Sequence, residues 1–390
     1  ILVPALAMAT PLAVAESPLQ PFNAQGHGTI SGRVQYLGMY RDFDNGNNGH
    51  ASTLGFILGY VSPQWHGLDA GVTYNYAGMF ASGGNSALVT NDGIRVFNEA
   101  WGRVNLTGAG LPGTALVVGR KISNGEVFRA DDFRQKARAI QAVQLETRDI
   151  PALALTVGHA EKLSNWIDVG DRWEFNDLGE VFGVGYDTDG ITWAEGVYTG
   201  IDRLELALFD AYAWDVANLA GARVKYRLTD TQALTGHYRH EESVGDAADR
   251  SADAYSLGFE QKFGAATVEP GWFGVRGDDL RFQETTTGIN HPLGLSLMIY
   301  PSMFAGDTDT LYVKGTTKFG NTALYALYSY TWHDDARYPY DAQELDVVVK
   351  QSLTKEFSVS VKLGYGTRES TAGGDDTTAT DARLFVTYAF

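Results

Sequence analysis

The feature that most constrains this chain is a strict alternation of apolar and polar residues, repeated in many segments along its length. The segment 357–365, FSVSVKLGY, places Phe357, Val359, Val361, Leu363 and Tyr365 on one parity. The final stretch, DARLFVTYAF, repeats the pattern and ends its apolar set on an aromatic residue. Because successive side chains of a β-strand point to opposite faces, this period predicts strands with one apolar face.

Two kinds of connection separate these segments. Eight tight turns alternate strictly with nine longer polar loops, which would join eighteen strands. An even strand number, with short periplasmic turns and long external loops, is typical of an outer-membrane barrel. The segment 181–189 also alternates, but a hairpin there would break the order downstream, so we place it inside the fourth loop. We expect the turns at 64–67, 108–113, 149–151, 200–203, 228–231, 264, 320–321 and 353–356, and the loops at 42–50, 81–94, 122–137, 162–189, 215–219, 243–251, 278–308, 334–340 and 369–380.

Composition excludes several classes of protein. The net charge of −17 argues against a nucleic-acid partner, which would need a basic face. The chain has no cysteine, so it has no disulfide and no cysteine metal site. It also lacks an apolar run long enough for a membrane-spanning helix, although a barrel strand needs only one apolar face.

The apolar faces could cover a membrane barrel or the core of a soluble β-protein. The opposite faces mix Arg, Lys, Gln, Glu, Ser, Thr and Gly, and aromatic residues cluster at strand ends, as in interfacial girdles. Eighteen strands would also enclose a lumen too wide for side chains to fill, so it would hold water. We therefore predict an all-β fold, a transmembrane antiparallel β-barrel of 18 strands.

The first residues resemble an export signal. Residues 1–15, ILVPALAMATPLAVA, form a soft apolar stretch that ends in the small-residue pattern Ala13, Val14, Ala15. We interpret 1–15 as the remnant of a secretory signal peptide and 16–27 as a periplasmic segment. The barrel would then occupy 28–390, in the outer membrane of a Gram-negative bacterium.

The segment ARVKYRLT (222–229) carries the clearest lumen pattern. Its parity puts Arg223, Lys225 and Arg227 on the lumen face, about 6.6 Å apart, as a column that could pass an anion along the wall. The next strand adds His237 and Arg239. Alternatively, such cations only solvate the wall and pair with lumen carboxylates. By the same parity the further lumen cations are Arg33, Arg103, Arg138, Arg148, Lys314, Lys318, Lys350, Lys362 and Arg383, and the lumen carboxylates include Glu205, Glu241, Glu260, Glu344 and Asp346.

Two long loops are candidates for narrowing the pore. Loop 122–137 carries charges of both signs and two phenylalanines that could anchor it inside the barrel. An ordinary mobile external loop is the alternative. Loop 278–308 is too apolar for a free external tip, so we expect it to pack into the barrel mouth. The candidate constriction residues are Arg129, Asp131, Asp132, Arg134, Lys136 and Arg138.

Signals for catalysis are weak. His237 and His240 form an H-x-x-H pattern, but on a strand they point to opposite faces and cannot share a metal. No spacing suggests a Ser/His/Asp arrangement. We therefore expect no enzyme activity, no cofactor and no metal site.

Several segments resemble the OprD family of outer-membrane porins. They are GTISGRVQYLGMYRDF near the start, VVGRKISNGEVF before the third loop, and ARAIQAVQLETRDIPALALTVGHAEK after it. The resemblance implies passive uptake of small, usually carboxylate-bearing solutes through an eyelet narrowed by loops three and seven, beside a basic ladder. Arg223, Lys225 and Arg227 are the best candidates for that ladder.

We thus expect a porin for passive diffusion of small hydrophilic solutes, biased toward anions. One alternative is a general, weakly selective porin. Another is a scaffold barrel that sheathes a partner protein such as an electron carrier. The expected partners are outer-membrane lipid, lipopolysaccharide and small solutes, and both a monomer and a homotrimer fit the sequence.

Overall fold

The computed structural model describes residues 26–44, 46, 48–84, 93–131, 134–166, 171–283, 285–293, 302–334 and 336–390. The predicted signal remnant 1–15 lies outside these residues, as does most of the segment 16–27. Nothing in the structure therefore tests those two assignments.

Eighteen strands within the described residues form one antiparallel barrel. The barrel closes because β1 pairs with β2 on one side and with β18 on the other. The strands are β1 Thr29–Phe43, β2 Gly49–Val61, β3 Leu68–Gly84, β4 Ile94–Asn105, β5 Thr114–Lys121, β6 Ala139–Thr147, β7 Leu153–Ser164, β8 Ile191–Ile201, β9 Leu204–Ala213, β10 Ala217–Arg227, β11 Gln232–Ser243, β12 Ser251–Phe263, β13 Ala266–Gly277, β14 Thr308–Phe319, β15 Thr322–His333, β16 Tyr340–Ser352, β17 Phe357–Ser370 and β18 Thr377–Ala389. The predicted fold class is confirmed.

The closing seam joins the two ends of the barrel sequence. Val34 of β1 lies opposite Tyr388 of β18, and Gly32 and Phe390 exchange two backbone hydrogen bonds of 3.0 and 2.9 Å. Leu384 and Tyr388 are exposed on the outer face, whereas Arg383 is buried on the inner one. The alternation expected for the last segment is therefore confirmed.

Most of the predicted connections hold to within a few residues, and several loops are shorter than expected, as in the ninth loop, which spans 371–376 and not 369–380. The fifth loop is 214–216 and not 215–219, because 217–219 continue the pairing of β10 with both neighbours. The fourth loop begins after Ser164 and contains the segment 181–189, as predicted. The third and seventh loops span 122–138 and 278–307, within one residue of their predicted ends.

The little helix that the described residues contain lies in the connections between strands, including two 3-10 helices, Leu106–Ala109 in the second turn and Ser302–Phe304 in the seventh loop. Helix α1, Leu178–Phe182, belongs to the fourth loop and follows a two-residue strand, Asn176–Asp177, that pairs with β7. The side chain of Asp177 accepts the amide of Gly179 and so caps the helix N-terminus. Within the described chain, no helix is both long and apolar enough to cross a membrane.

The two faces of the barrel differ sharply. Leu208, Leu257, Leu311 and Leu363 are at least half exposed on the outer face, which suits contact with lipid tails. On the inner face, apolar side chains of β6–β10 pack with Val127 and Phe128 of the third loop, Leu178 of the fourth, and Phe282 and Ile289 of the seventh. A second cluster joins Leu280, Leu293, Met303 and Phe304 of the seventh loop to β12–β16. These three loops therefore have apolar contacts with the inner wall.

Candidate functional site

The first half of the third loop is bonded to β8 and β10. The Glu195 carboxylate of β8 accepts the backbone amides of Glu126 and Val127 at 2.8 and 3.2 Å. The Glu126 carboxylate in turn accepts Nε and Nη2 of Arg223 at 3.0 and 2.7 Å. Its second oxygen accepts Nδ2 of Asn290, in the seventh loop, at 3.0 Å.

The second half of the third loop is bonded to β1 and β2. Gln35 of β1 donates to the carbonyl of Arg134 at 2.8 Å. Gln135 donates to Oγ1 of Thr53 in β2 at 2.7 Å. Its amide lies so close to Gly55 that a side chain at Gly55 would collide with it. This part of the loop is thus fitted to the wall formed by β1 and β2.

These anchoring points lie on opposite sides of the barrel. Counted around the barrel, β10 is nine strands from β1, half of the circumference. The contacts of Glu126 and Gln135 therefore connect opposite walls through a short segment of chain. The predicted constriction residues Arg129, Asp131 and Arg134 belong to that segment.

The third loop also has an internal buried ion cluster. Asp131 lies 2.9 Å from Arg138 and 3.4 Å from Arg129, and all three side chains are buried. Lys136, which is fully buried, donates to the carbonyls of Ala137, Ser164 and Asn165. These four predicted residues are thus tied into the structure, while Asp132 lies outside the described residues.

The seventh loop lies against the third. The amide of Arg129 donates to the carbonyl of Thr287, and the amide of Asn290 donates to the carbonyl of Glu126, both at 3.1 Å. The imidazole of His291 is buried beside Arg129. Desolvation by burial, reinforced by that cation, holds the pKa of His291 well below its ordinary value.

The column predicted at Arg223, Lys225 and Arg227, called here the 223–227 column, is largely paired with carboxylates. Arg223 contacts Glu126 and Glu205, each at 2.7 Å, and Lys225 contacts Glu260 at 3.0 Å. A cavity of about 240 Å³ lies at the short-turn end of the column and is lined by Lys225, Arg227 and their neighbours. The column thus binds the third loop at one end and borders open space at the other.

His237 and Arg239 of β11 are the neighbours predicted for that column. His237 lies directly opposite Arg223 in the strand register. Arg239 is buried and lies 3.8 Å from the carboxylate of Glu241, which is buried as well. The structure therefore brings all five predicted wall residues onto adjacent strands.

A second cationic wall lies at the closing seam and is called here the seam wall, the inner face of β16–β18 and β1. Asp381 is buried between Arg41 and Arg383, at 2.6 and 2.8 Å. Lys362 lies directly opposite Arg383 in the register, and its ammonium lies 4.9 Å from the centre of the Phe385 ring. The remaining inward-facing charges of these strands are Arg33, Lys350, Arg368, Glu344 and Asp346.

Comparison with known families decides the class of barrel. The model of the outer-membrane porin family OprD matches residues 67–390. The chain belongs to the OprD family. This membership confirms the resemblance read from the sequence, and it makes the protein an outer-membrane porin channel and not an enzyme. It follows that the barrel contacts outer-membrane lipid and lipopolysaccharide and passes small solutes.

Solved porins of the OprD type share the fold. OccAB4 of Acinetobacter baumannii has a TM-score of 0.75 at 16% identity, over 93% of this chain and 97% of that one. A BenF-like porin from Pseudomonas fluorescens Pf-5 has a TM-score of 0.74 at 17% identity, over 93% and 98%. OpdK of Pseudomonas aeruginosa, solved with vanillate, has a TM-score of 0.71 at 16% identity, over 93% and 98%. A search of curated protein sequences found no match.

Sequence reasoning missed three of the residues that organise this site. Glu195 is an inward-facing residue by parity, but the sequence does not reveal that its partners are loop amides. Asp381 and Arg41 also follow the lumen parity of their strands. Asp381 lies two residues before Arg383, and Arg41 lies opposite Asp381 on β1. The alternation of their strands could have identified Asp381 and Arg41 as lumen residues. The sharing of Asp381 by two arginines could not be predicted, because Arg41 lies on a different strand.

Proposed function

We propose that this porin passes small hydrophilic solutes by passive diffusion and favours anions, in particular small carboxylates. The observation that carries the proposal is the charge of the seam wall. Its four fully described strands point six cations and three carboxylates inward. In β8–β12, by contrast, five cations face four carboxylates, and Glu126 of the third loop supplies the fifth.

An excess of fixed cations matters most where the passage is narrow. Low-dielectric walls concentrate the field in a cleft, so a surplus of one sign raises the local concentration of the opposite ion. Arginine suits this role because its planar guanidinium binds a carboxylate through two parallel hydrogen bonds. Arg41 and Arg383 already bind one carboxylate, that of Asp381, and a solute carboxylate could exchange for part of that contact.

The third and seventh loops form the constriction in this proposal. The contacts of the third loop with β10 on one side and β1 on the other support a chain that crosses the lumen. Its bonds to the seventh loop support a joint barrier. The 223–227 column then has two roles, since Arg223 holds the loop while Lys225 and Arg227 border the passage beyond it.

The structural neighbours agree with a carboxylate solute. Vanillate, present in the OpdK structure, is an aromatic carboxylate. The other candidate functions fit the geometry less well. A sheath for a partner protein needs an open lumen, whereas here the loops bond to opposite walls. A general porin would need no charge imbalance between its walls.

Liposome swelling tests this function with matched solutes. We expect gluconate to permeate faster than glucose, which has a similar size, does not cross lipid unaided and carries no charge. Replacing Arg41, Lys362 and Arg383 by Gln should remove that difference, whereas Lys355→Gln, on an exposed turn, should preserve it. Equal rates for both solutes in the unmodified protein would favour the general porin instead.

A further inference from the structure

Two strand glutamates bind the pore loops through backbone amides and not through cationic side chains. We propose that Glu195 and Glu241 are positioning residues, two carboxylate clasps that hold the third and seventh loops in place and thereby set the width of the passage. This inference rests on the proposed function, because it takes those loops to form the constriction.

The first clasp is Glu195 on β8. One oxygen of its carboxylate accepts the amides of Glu126 and Val127, two consecutive residues of the third loop. Gly125 leaves room for this contact, because a Cβ there would lie 1.9 Å from the other oxygen of Glu195. Gly125 does not need glycine for its backbone angle, since its φ is not in the left-handed region. Its lack of a side chain is thus explained by the carboxylate.

The second clasp is Glu241 on β11, and it repeats the geometry. One carboxylate oxygen accepts the amides of Arg281 and Phe282, again two consecutive loop residues, at 2.7 and 3.2 Å. The carboxylate is buried, and Arg239 lies 3.8 Å away on the same strand. Both pore loops are therefore held by the same device, a strand carboxylate that accepts two adjacent amides.

The physical chemistry of the clasps favours a holding role. Hydrogen bonds to an ionised acceptor are about twice as strong as neutral ones. Phe128 directly follows Val127, whose amide is clasped, and Phe282 supplies a clasped amide itself. Both phenylalanines pack in the same apolar cluster on the inner wall. Removing a carboxylate would leave two loop amides without their acceptor in that apolar setting, which weakens the docking of the loop.

The clasps also change how the inward carboxylates are interpreted. A glutamate on the lumen face is expected to neutralise a neighbouring cation, as Glu260 does for Lys225. The carboxylate of Glu195 instead accepts the amides of Glu126 and Val127 in the third loop. The next link is Glu126, whose carboxylate binds Arg223. The clasp therefore controls where the partner of Arg223 sits, and through it the position of the loop.

A double-mutant cycle in planar bilayers tests the first clasp. We expect Glu195→Ala to raise the open-channel conductance roughly twofold and to increase current noise, because one of two obstructing loops is released. Gly125→Ala should do the same, since its new methyl displaces the carboxylate. In the Glu195→Ala background, however, Gly125→Ala should add no further change, because the colliding atoms are gone. Glu195→Gln, which keeps one acceptor oxygen, should restore part of the closed behaviour.

Controls separate this proposal from a loss of folding and from the proposed function. Glu161→Ala, on an exposed side chain of β7, should leave conductance and noise unchanged. Glu241→Ala should release the seventh loop and give a second, separate rise in conductance. The barrel fold of each variant is checked by circular dichroism before recording.

The cycle measures how the clasp affects conductance and current noise, and these do not depend on which ion the pore prefers. Additive effects of Gly125→Ala and Glu195→Ala would overturn the clasp, as would unchanged conductance in folded Glu195→Ala. If the unmodified protein shows no anion preference, the proposed function is overturned, but the clasp is not.

Discussion

The 223–227 column and the seam wall contain the same residue types on opposite sides of one barrel, yet their charges are used differently. In the column, Arg223 and Lys225 each have a specific glutamate partner, and one partner belongs to the third loop. At the seam, Arg41 and Arg383 share the single carboxylate of Asp381. The column is therefore close to neutral, whereas the seam wall keeps a positive surplus.

This difference shows that lumen parity identifies cations but not their function. A cation whose charge is matched by a fixed carboxylate adds little to the field in the passage. One that shares its counter-ion with a second cation adds more. We therefore propose that the loop anchor lies on β8–β11 and that the selective surface lies on β16–β18 and β1. The predictions below test that division of roles.

The largest expected effect is on stability at the seam. Asp381→Asn leaves the buried Arg383 and the partly exposed Arg41 as neighbouring like charges without their shared partner, so the free energy of unfolding should fall by about 3 kcal/mol. Urea unfolding in lipid vesicles measures it. Asp69→Asn is the matched control, because its partner Arg103 is more than a third exposed and the loss there should be about 1 kcal/mol at most. Equal losses would show that Asp381 has no special role.

Arg223→Gln should act on the loop and not on selectivity. It removes a charge-assisted contact with Glu126 that helps to hold the third loop, which should cost the docked loop about 2 kcal/mol. Single-channel records should show more frequent openings to a larger conductance, with no more than a slight shift of the reversal potential. A shifted reversal potential without a change in gating would make Arg223 a selective residue after all.

The pair Lys225 and Glu260 should behave as a balanced unit. Lys225→Gln and Glu260→Gln should each shift the reversal potential slightly and in opposite directions, and the double variant should return to the original value. The coupling between them should be about 1 kcal/mol, since both side chains are mostly buried and lie 3.0 Å apart. A double variant whose reversal potential stays shifted, or two single variants that shift it in the same direction, would contradict the pairing.

A smaller effect concerns acid and the seventh loop. Burial, then the charge of Arg129, lowers the pKa of His291, whose other charged neighbours are Asp131, Arg239 and Lys314. The docked loop thus binds fewer protons than a displaced loop, in which His291 titrates near 6.5. Docking is therefore fully stable above about pH 6.5 and weakens as the pH falls below that value. Conductance noise should rise at pH 5, and His291→Gln should abolish the rise.

The barrel was largely predictable, because alternation is a local property of the chain. Phe357 to Tyr365 already defines which face of β17 meets lipid, and the turns set the strand number. The fifth loop was misplaced because the short stretch Ala217, Asn218 and Leu219 has too few residues for its alternation to distinguish a strand start from a loop end. The family was also recognisable, since its segments near β1 and β5–β7 carry loose but consistent patterns.

The site was predictable only in part, because its partners are far apart in sequence. Glu126 and Arg223 are separated by 97 residues, and Arg41 and Asp381 by 340. Parity predicted that Arg223 and Arg383 face the lumen. It did not show that Arg223 pairs with a carboxylate of the third loop, whereas Arg383 pairs with one on its own strand. The clasps of Glu195 and Glu241 depend on loop backbone amides, which carry no signature in the side-chain pattern.

The division between the two walls is tested most directly by reversal potentials in one salt gradient. Two triple variants are compared with the unmodified protein, one with Arg41, Lys362 and Arg383 replaced by Gln, and one with Arg223, Lys225 and Arg227 replaced by Gln. We expect the unmodified protein to prefer anions, the seam variant to lose that preference, and the column variant to keep most of it. An equal loss in both variants, or a cation preference in the unmodified protein, would contradict the division of roles.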